Sequence, residues 1–197
     1  MHIDSADYLR LDVVHALGAS ATGASFATSS GDVLDAQCHG EGAFRLRVGP
    51  STRPDYGLVV SRPKGCTTSQ PAPQTWAIAC GDTRLEIRAA PLDIRLLFKD
   101  RVVLRSATDR LPDGSLRLPA IGRLRQGGLW SAAFALESGE PVYGLGEKFG
   151  ALDKRGQLVH SQVQDARGVN TGAAYKNTPF APAYTKRSSA SSSTITP

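Results

Sequence analysis

Long apolar runs are missing from this 197-residue sequence, and no stretch approaches the roughly 20 residues a membrane-spanning helix needs. The start, MHIDSADYLRLD, is acidic early and has no basic segment leading into an apolar one. No secretory leader is read there, and the expected compartment is the cytoplasm. Cysteine is scarce. Cys38, Cys66 and Cys80 are odd in number and widely spaced, which fits neither a disulfide framework nor a zinc site, so they are read as reduced core or surface thiols. His2, His15, His39 and His160 also lack metal-ligand spacing, and no metal or cofactor is expected. Basic clusters are absent too. The net charge of +5 comes from 17 Arg and 6 Lys against 18 acids, scattered through strand-like segments, whereas nucleic-acid binding calls for a patch with interleaved aromatics. Neither nucleic acid nor membrane is an expected partner.

What is present points to strands. At 41% hydrophobic and 21% charged, the composition is that of a globular protein, and the length fits one domain, or one sandwich with a tail. Residues 8–14 mix apolar and polar side chains, and 17–31 is rich in Ala, Ser, Thr and Gly, as turns and short strands are. A strand is expected at 33–38. At 43–48 strict alternation places Phe44, Leu46 and Val48 on one face and Arg45 and Arg47 on the other, the pattern of a half-buried antiparallel strand. Two prolines make 69–74 a loop. Short strands at 76–80 and 84–88 flank Gly81-Asp82, and strands at 92–98 and 102–105 flank Lys99-Asp100, each a hairpin signal. Asp113-Gly114 turns the chain again, and 129–136 leads into the most distinctive part. Strands at this spacing, with no sustained helical period, predict an all-β, antiparallel β-sandwich.

That part is 142–180, VYGLGEKFGALDKRGQLVHSQVQDARGVNTGAAYKNTPF. Gly144, Gly146 and Gly150 fall among Tyr143, Leu145, Glu147, Lys148 and Phe149, which calls for tight, close-packed backbone. Leu152-Asp153-Lys154-Arg155-Gly156 adds a charged turn, and Tyr175-Lys176-Asn177-Thr178-Pro179-Phe180 ends on a proline that excludes helix. In order and spacing these blocks resemble the N-terminal domain of family 31 glycoside hydrolases, the α-glucosidase and α-xylosidase family. Arg53-Pro54-Asp55-Tyr56 resembles a further segment of it. The resemblance implies a β-sandwich of galactose-mutarotase-like topology, followed in the family by a (β/α)8 barrel that carries the catalysis. That barrel is not in this sequence, so the sandwich is read as incomplete at its C-terminus.

Retaining glycoside hydrolysis uses two carboxyl groups about 5 Å apart, and the resemblance assigns both to the barrel. No catalytic residue is therefore expected in this chain. Glu147 and Asp153 form a tempting pair, but they lie in a segment whose family role is structural. Asp165 is the substrate-binding candidate, because the family sends a loop bearing an Asp from the sandwich to the mouth of the active site, where it accepts hydrogen bonds from sugar hydroxyls. The Trp and Asn that precede that Asp in the family are replaced here by Gln162 and Val163. A mutarotase would instead need a His and a Glu facing one sugar, for which His160 and Glu147 are the candidates.

Residues 1–184 are thus read as the sandwich and 185–197 as a tail, whose run from Ser188 to Thr194 is too polar to build a core. The tail is either a genuine Ser-rich, disordered end or a frameshifted one. With suitable codons, the alternative frame spells Ile-Gly-Val-Phe-Val-Asn, an apolar strand of the kind the family has after its PF block. Three functions stay open. One is the carbohydrate-binding-type N-terminal domain of an α-glycosidase, inactive alone and meeting an α-linked glucoside or xyloside only with the barrel. Another is a free-standing sugar-binding or mutarotase-like module, and the third is a structural domain that packs on a partner chain.

Overall fold

Alternation at every second position, the pattern expected at 43–48, recurs along much of the chain, and the chain answers it with strands. The computed structural model describes residues 8–50, 52, 61–107, 119–125, 129–148, 150–159 and 178. Among these are twelve strands: β1 (Tyr8–Arg10), β2 (Val13–Ser20), β3 (Gly23–Thr28), β4 (Val33–Gly40), β5 (Ala43–Gly49), β6 (Thr67–Ala72), β7 (Thr75–Cys80), β8 (Thr83–Arg88), β9 (Asp93–Phe98), β10 (Arg101–Arg105), β11 (Ile121–Leu124) and β12 (Trp130–Ala132). The described residues contain no helix. The chain divides into two compact units, Met1–Ala135 and Leu136–Pro197, and all the named strands belong to the first.

In the first unit β2-β3-β4-β5 form one antiparallel sheet, β10-β9-β8-β7-β6 a second, and β1-β11-β12 a third. Hairpins set most of this order. Cys80 pairs with Thr83 across Gly81-Asp82, and Phe98 pairs with Arg101 across Lys99-Asp100, as expected from those dipeptides. Lys99 and Asp100 both have positive φ, 47° and 61°, the backbone of the tight two-residue turn that suits the twist of paired strands.

The core lies between the two larger sheets. Phe26, Leu34 and Ala36 come from the four-stranded sheet, and Ile78, Leu85, Ile87 and Ile94 from the five-stranded one, all buried in one cluster. Phe44, Leu46 and Val48 pack against it, so β5 presents the face expected from its alternation. The sheets interlock at Phe26 and Trp76, whose rings meet edge-on with centroids 5.2 Å apart. Polar ties close the rim. The Gly42 N–H donates to Thr83 Oγ1 at 3.0 Å and the Asp82 N–H to Glu41 Oε1 at 3.2 Å, joining the β4–β5 turn to the β7–β8 turn. Beneath β9, the Ser106 hydroxyl donates to buried Asp93 at 2.9 Å while accepting the Ile94 N–H at 2.9 Å, so a buried carboxylate is satisfied by design of the backbone path.

One expectation needs adjusting. Residues 69–74, expected to be a loop because of Pro71 and Pro73, contain most of strand β6. Proline lacks the ladder N–H, but β6 is the edge of its sheet and its register with β7 shifts between Ser69 and Ala72, the two settings in which a strand tolerates proline. Residues 17–31 hold the end of β2, all of the six-residue β3 and the turns at 21–22 and 29–30, the turns and strands expected of a stretch rich in Ala, Ser, Thr and Gly. Arg53 to Tyr56 and Asp113-Gly114 lie outside the described residues.

Candidate functional site

The second unit carries the distinctive blocks, and the described part of it is a clasp of loops. Gly144, Leu145 and Gly146 follow one another with φ of 92°, 67° and 86°, a left-handed run that only glycine enters freely. The two glycines therefore flank the one residue that bears strain, which accounts for the YGLG pattern. Asp153 secures the loop from the other side. Its Oδ1 accepts the Val142 N–H at 3.0 Å and the Arg155 N–H at 2.9 Å, and the Lys154 N–H donates to the Val142 carbonyl at 2.6 Å. Arg155 Nη1 then donates to the carbonyls of Glu137 (2.8 Å) and Glu140 (2.7 Å). Glu140 is buried, and its carboxylate accepts the Glu137 N–H at 2.7 Å. Lys154 is buried as well, with Nζ donating to the Ala151 carbonyl at 2.6 Å.

The LDKRG block is therefore a set of donors and acceptors spent on main chain. The N–H of Arg155, then that of Val142, and lastly the Arg155 charge hold the Asp153 carboxyl below the ordinary carboxylate range. That is the environment of a capping group kept ionised at neutral pH, the opposite of the raised carboxyl a general acid needs. Glu147 is exposed, just beyond the strained loop. Asp165 and His160 lie outside the described residues, as do Gln162 and Val163.

The first unit holds two features the sequence does not announce. The three cysteines, far apart in the chain, converge. Hydrogen bonding with Cys38, then burial, push the Cys80 thiol up to about 11, and burial together with Cys38 also raises Cys66. All three are free thiols. The raised values keep Cys66 and Cys80 protonated and unreactive at neutral pH. No cluster of three or more His, Cys, Asp and Glu among the described residues has the geometry to hold a metal ion. The second feature is a cleft of about 510 Å3 lined by Leu46, Val48, Ile94, Ile121, Trp130 and Phe134. Its Ser131 hydroxyl already donates to the Gly122 carbonyl at 3.3 Å, so the walls offer apolar surface and little for a sugar hydroxyl.

Compared with known proteins, residues 33–191 match the glycosyl hydrolase 31 N-terminal galactose mutarotase-like domain. The chain belongs to this family. Over 49 residues it is 47% identical to an alpha-xylosidase of Emericella nidulans, a match covering 25% of this chain and 6% of that protein. Among solved structures, the family 31 dextranase of Flavobacterium johnsoniae in complex with glucose superposes with a TM-score of 0.69 at 18% identity, over 89% of this chain and 21% of the dextranase. The cycloalternan-forming enzyme of Listeria monocytogenes, in complex with a pentasaccharide substrate, gives 0.68 at 16% identity, over 89% of this chain and 16% of that enzyme. The fold is thus the antiparallel, mutarotase-like sandwich of family 31, and the chain spans about a fifth or less of the length of these relatives.

Proposed function

We propose that the chain works as the N-terminal sandwich of an α-glycosidase acting on α-linked glucosides or xylosides, and that it meets such a substrate only together with a catalytic barrel. The observation that carries this reading is the family match over 33–191, which runs through all three motif blocks and is reinforced by the 47% identity to an alpha-xylosidase over 49 residues. The geometry of the clasp supports a scaffolding role for the blocks it contains, because Asp153 and Arg155 are committed to main-chain partners. In this reading the hydrolytic carboxyl pair belongs to the barrel, Asp165 contributes a hydrogen-bond acceptor to the bound sugar, and the enzyme works in the cytoplasm without cofactor, nucleic acid or membrane.

The DNA following the Pro197 codon tests it. An open frame encoding a (β/α)8 barrel with acidic residues at its strand ends supports the proposal. Without such a frame, calorimetric binding of glucose, galactose or xylose by the isolated chain would favour the free-standing sugar-binding module instead.

A further inference from the structure

Alternation along a strand decides which of its side chains meet across a sandwich. On β4 the buried positions are Leu34, Ala36 and Cys38, and Cys38 is the last of them. On β7, Trp76, Ile78 and Cys80 share a face, the one from which the Trp76 ring meets Phe26 of the opposite sheet. Cys66 reaches the same corner through the ladder. Thr67 pairs with Ala79, so one step further along the register Cys66 stands opposite Cys80. Main-chain bonds fix all three. The Cys38 N–H donates to the Thr22 carbonyl at 2.9 Å, the Lys64 N–H to the Cys38 carbonyl at 2.7 Å and the Cys66 N–H to the Ala21 carbonyl at 2.9 Å. Thr83 Oγ1 donates to the Cys80 carbonyl at 2.7 Å while accepting the Gly42 N–H, which holds the end of β7 against the β4–β5 turn. The Cys38 thiol donates to the Gly40 carbonyl at 3.6 Å and shares a further hydrogen bond with the Cys80 thiol. Cys38 is buried, whereas Cys66 and Cys80 are half-buried. Two thiols in contact, one of them reachable from outside, are what thiol–disulfide exchange requires.

From this we infer that the corner is an oxidation site, at which Cys80 exchanges with a low-molecular-weight disulfide such as oxidised glutathione and Cys38 then closes a bridge between the two larger sheets. In the first step Cys80 gives its proton to solvent and the thiolate attacks one sulfur of the small disulfide. That S–S bond breaks, a mixed disulfide forms on Cys80, and the departing thiolate takes up a proton. Cys38, deprotonated in turn, attacks Cys80 Sγ and expels the second small thiol. Two protein thiols are oxidised to one disulfide and the small disulfide is reduced to two thiols. The second step needs no access from outside, which suits the burial of Cys38. Cys66, whose thiol is hydrogen-bonded to Thr68, is left unbridged. Contact with Cys38, then burial, and lastly the Glu41 carboxylate, which lies against Gly81, hold Cys80 as a thiol. Exchange is therefore slow at neutral pH, and the site answers a sustained oxidising poise, not a brief one.

Incubating the folded 197-residue chain with oxidised and reduced glutathione at graded ratios, then trapping free thiols by alkylation at acid pH and mapping peptides by mass, tests this. The expected product has lost two hydrogens, keeps one alkylatable cysteine, Cys66, and yields a Cys38–Cys80 linked peptide. Its rate of formation rises roughly tenfold per pH unit from about pH 7 to about pH 10, following the thiolate fraction. The bridged chain melts at a higher temperature than the reduced one, and dithiothreitol abolishes the gain. Cys66→Ser still forms the bridge, Cys38→Ala stops at the glutathione adduct on Cys80, and Cys80→Ser forms neither. Should Cys38→Ala fail to fold, Cys80→Ser, changed at a half-buried position, carries the test with Cys66→Ser. Three thiols that stay free at every ratio overturn the inference. So do a bridge through Cys66, a bridge between two chains, and a bridge that forms only after unfolding in urea.

Discussion

Asp153 shows how a single carboxylate decides between chemistry and scaffolding. Its pKa lies below the ordinary value because the charged form is hydrogen-bonded in the fold, so its stabilisation is complete above the usual carboxylate range, near 4. It is lost as the pH falls through the lower, folded value. Exchange of the Val142 and Arg155 amides is therefore expected to accelerate in that acidic window, and Asp153→Asn should remove most of the pH dependence there. Protection that stays flat down to acid unfolding would contradict the clasp. Asp165 is a different case, with a role that rests on the proposed barrel. In a chain extended through that barrel, Asp165→Ala should weaken kcat/KM by about 1 to 3 kcal/mol, the range of a hydrogen bond to a charged group. Unchanged kinetics would make it a surface acid.

At the level of elements, the sequence was legible where local chemistry and tertiary context agree. Gly81-Asp82 and Lys99-Asp100 announce their hairpins because a tight turn needs residues that accept positive φ, and 43–48 announces its buried face because alternation maps directly onto a pleat. Strand β6 was hidden by Pro71, since proline excludes a central strand but not an edge, and edge position is a property of the sheet. The meeting of Cys38, Cys66 and Cys80 was hidden for the same reason, as it depends on how two sheets stack. That stacking has a test of its own. Phe26 is fully buried and meets Trp76 across the sheets, so Phe26→Ala should cost roughly 3 to 5 kcal/mol in chemical denaturation with little change in Trp76 →Phe. A cost below about 1 kcal/mol would mean that the sheets are not held together at this contact.

For the molecule as a whole, the family was legible from three short blocks, while the reason for those blocks emerges only in three dimensions. The glycines of Tyr143-Gly144-Leu145-Gly146 serve a left-handed run, and Leu152-Asp153-Lys154-Arg155-Gly156 serves the backbone of the loop beside it. Neither block is arranged as an acid and base poised around a glycosidic bond. The central claim, that this chain is the scaffold of a glycosidase and not its catalyst, is tested most directly by incubating the purified chain with aryl α-glucoside and aryl α-xyloside and following release of the phenol. No release above blank is expected from the parent chain or from Glu147→Gln. Release that follows the protein through purification and disappears in Glu147→Gln would contradict the claim and return catalysis to the motif block.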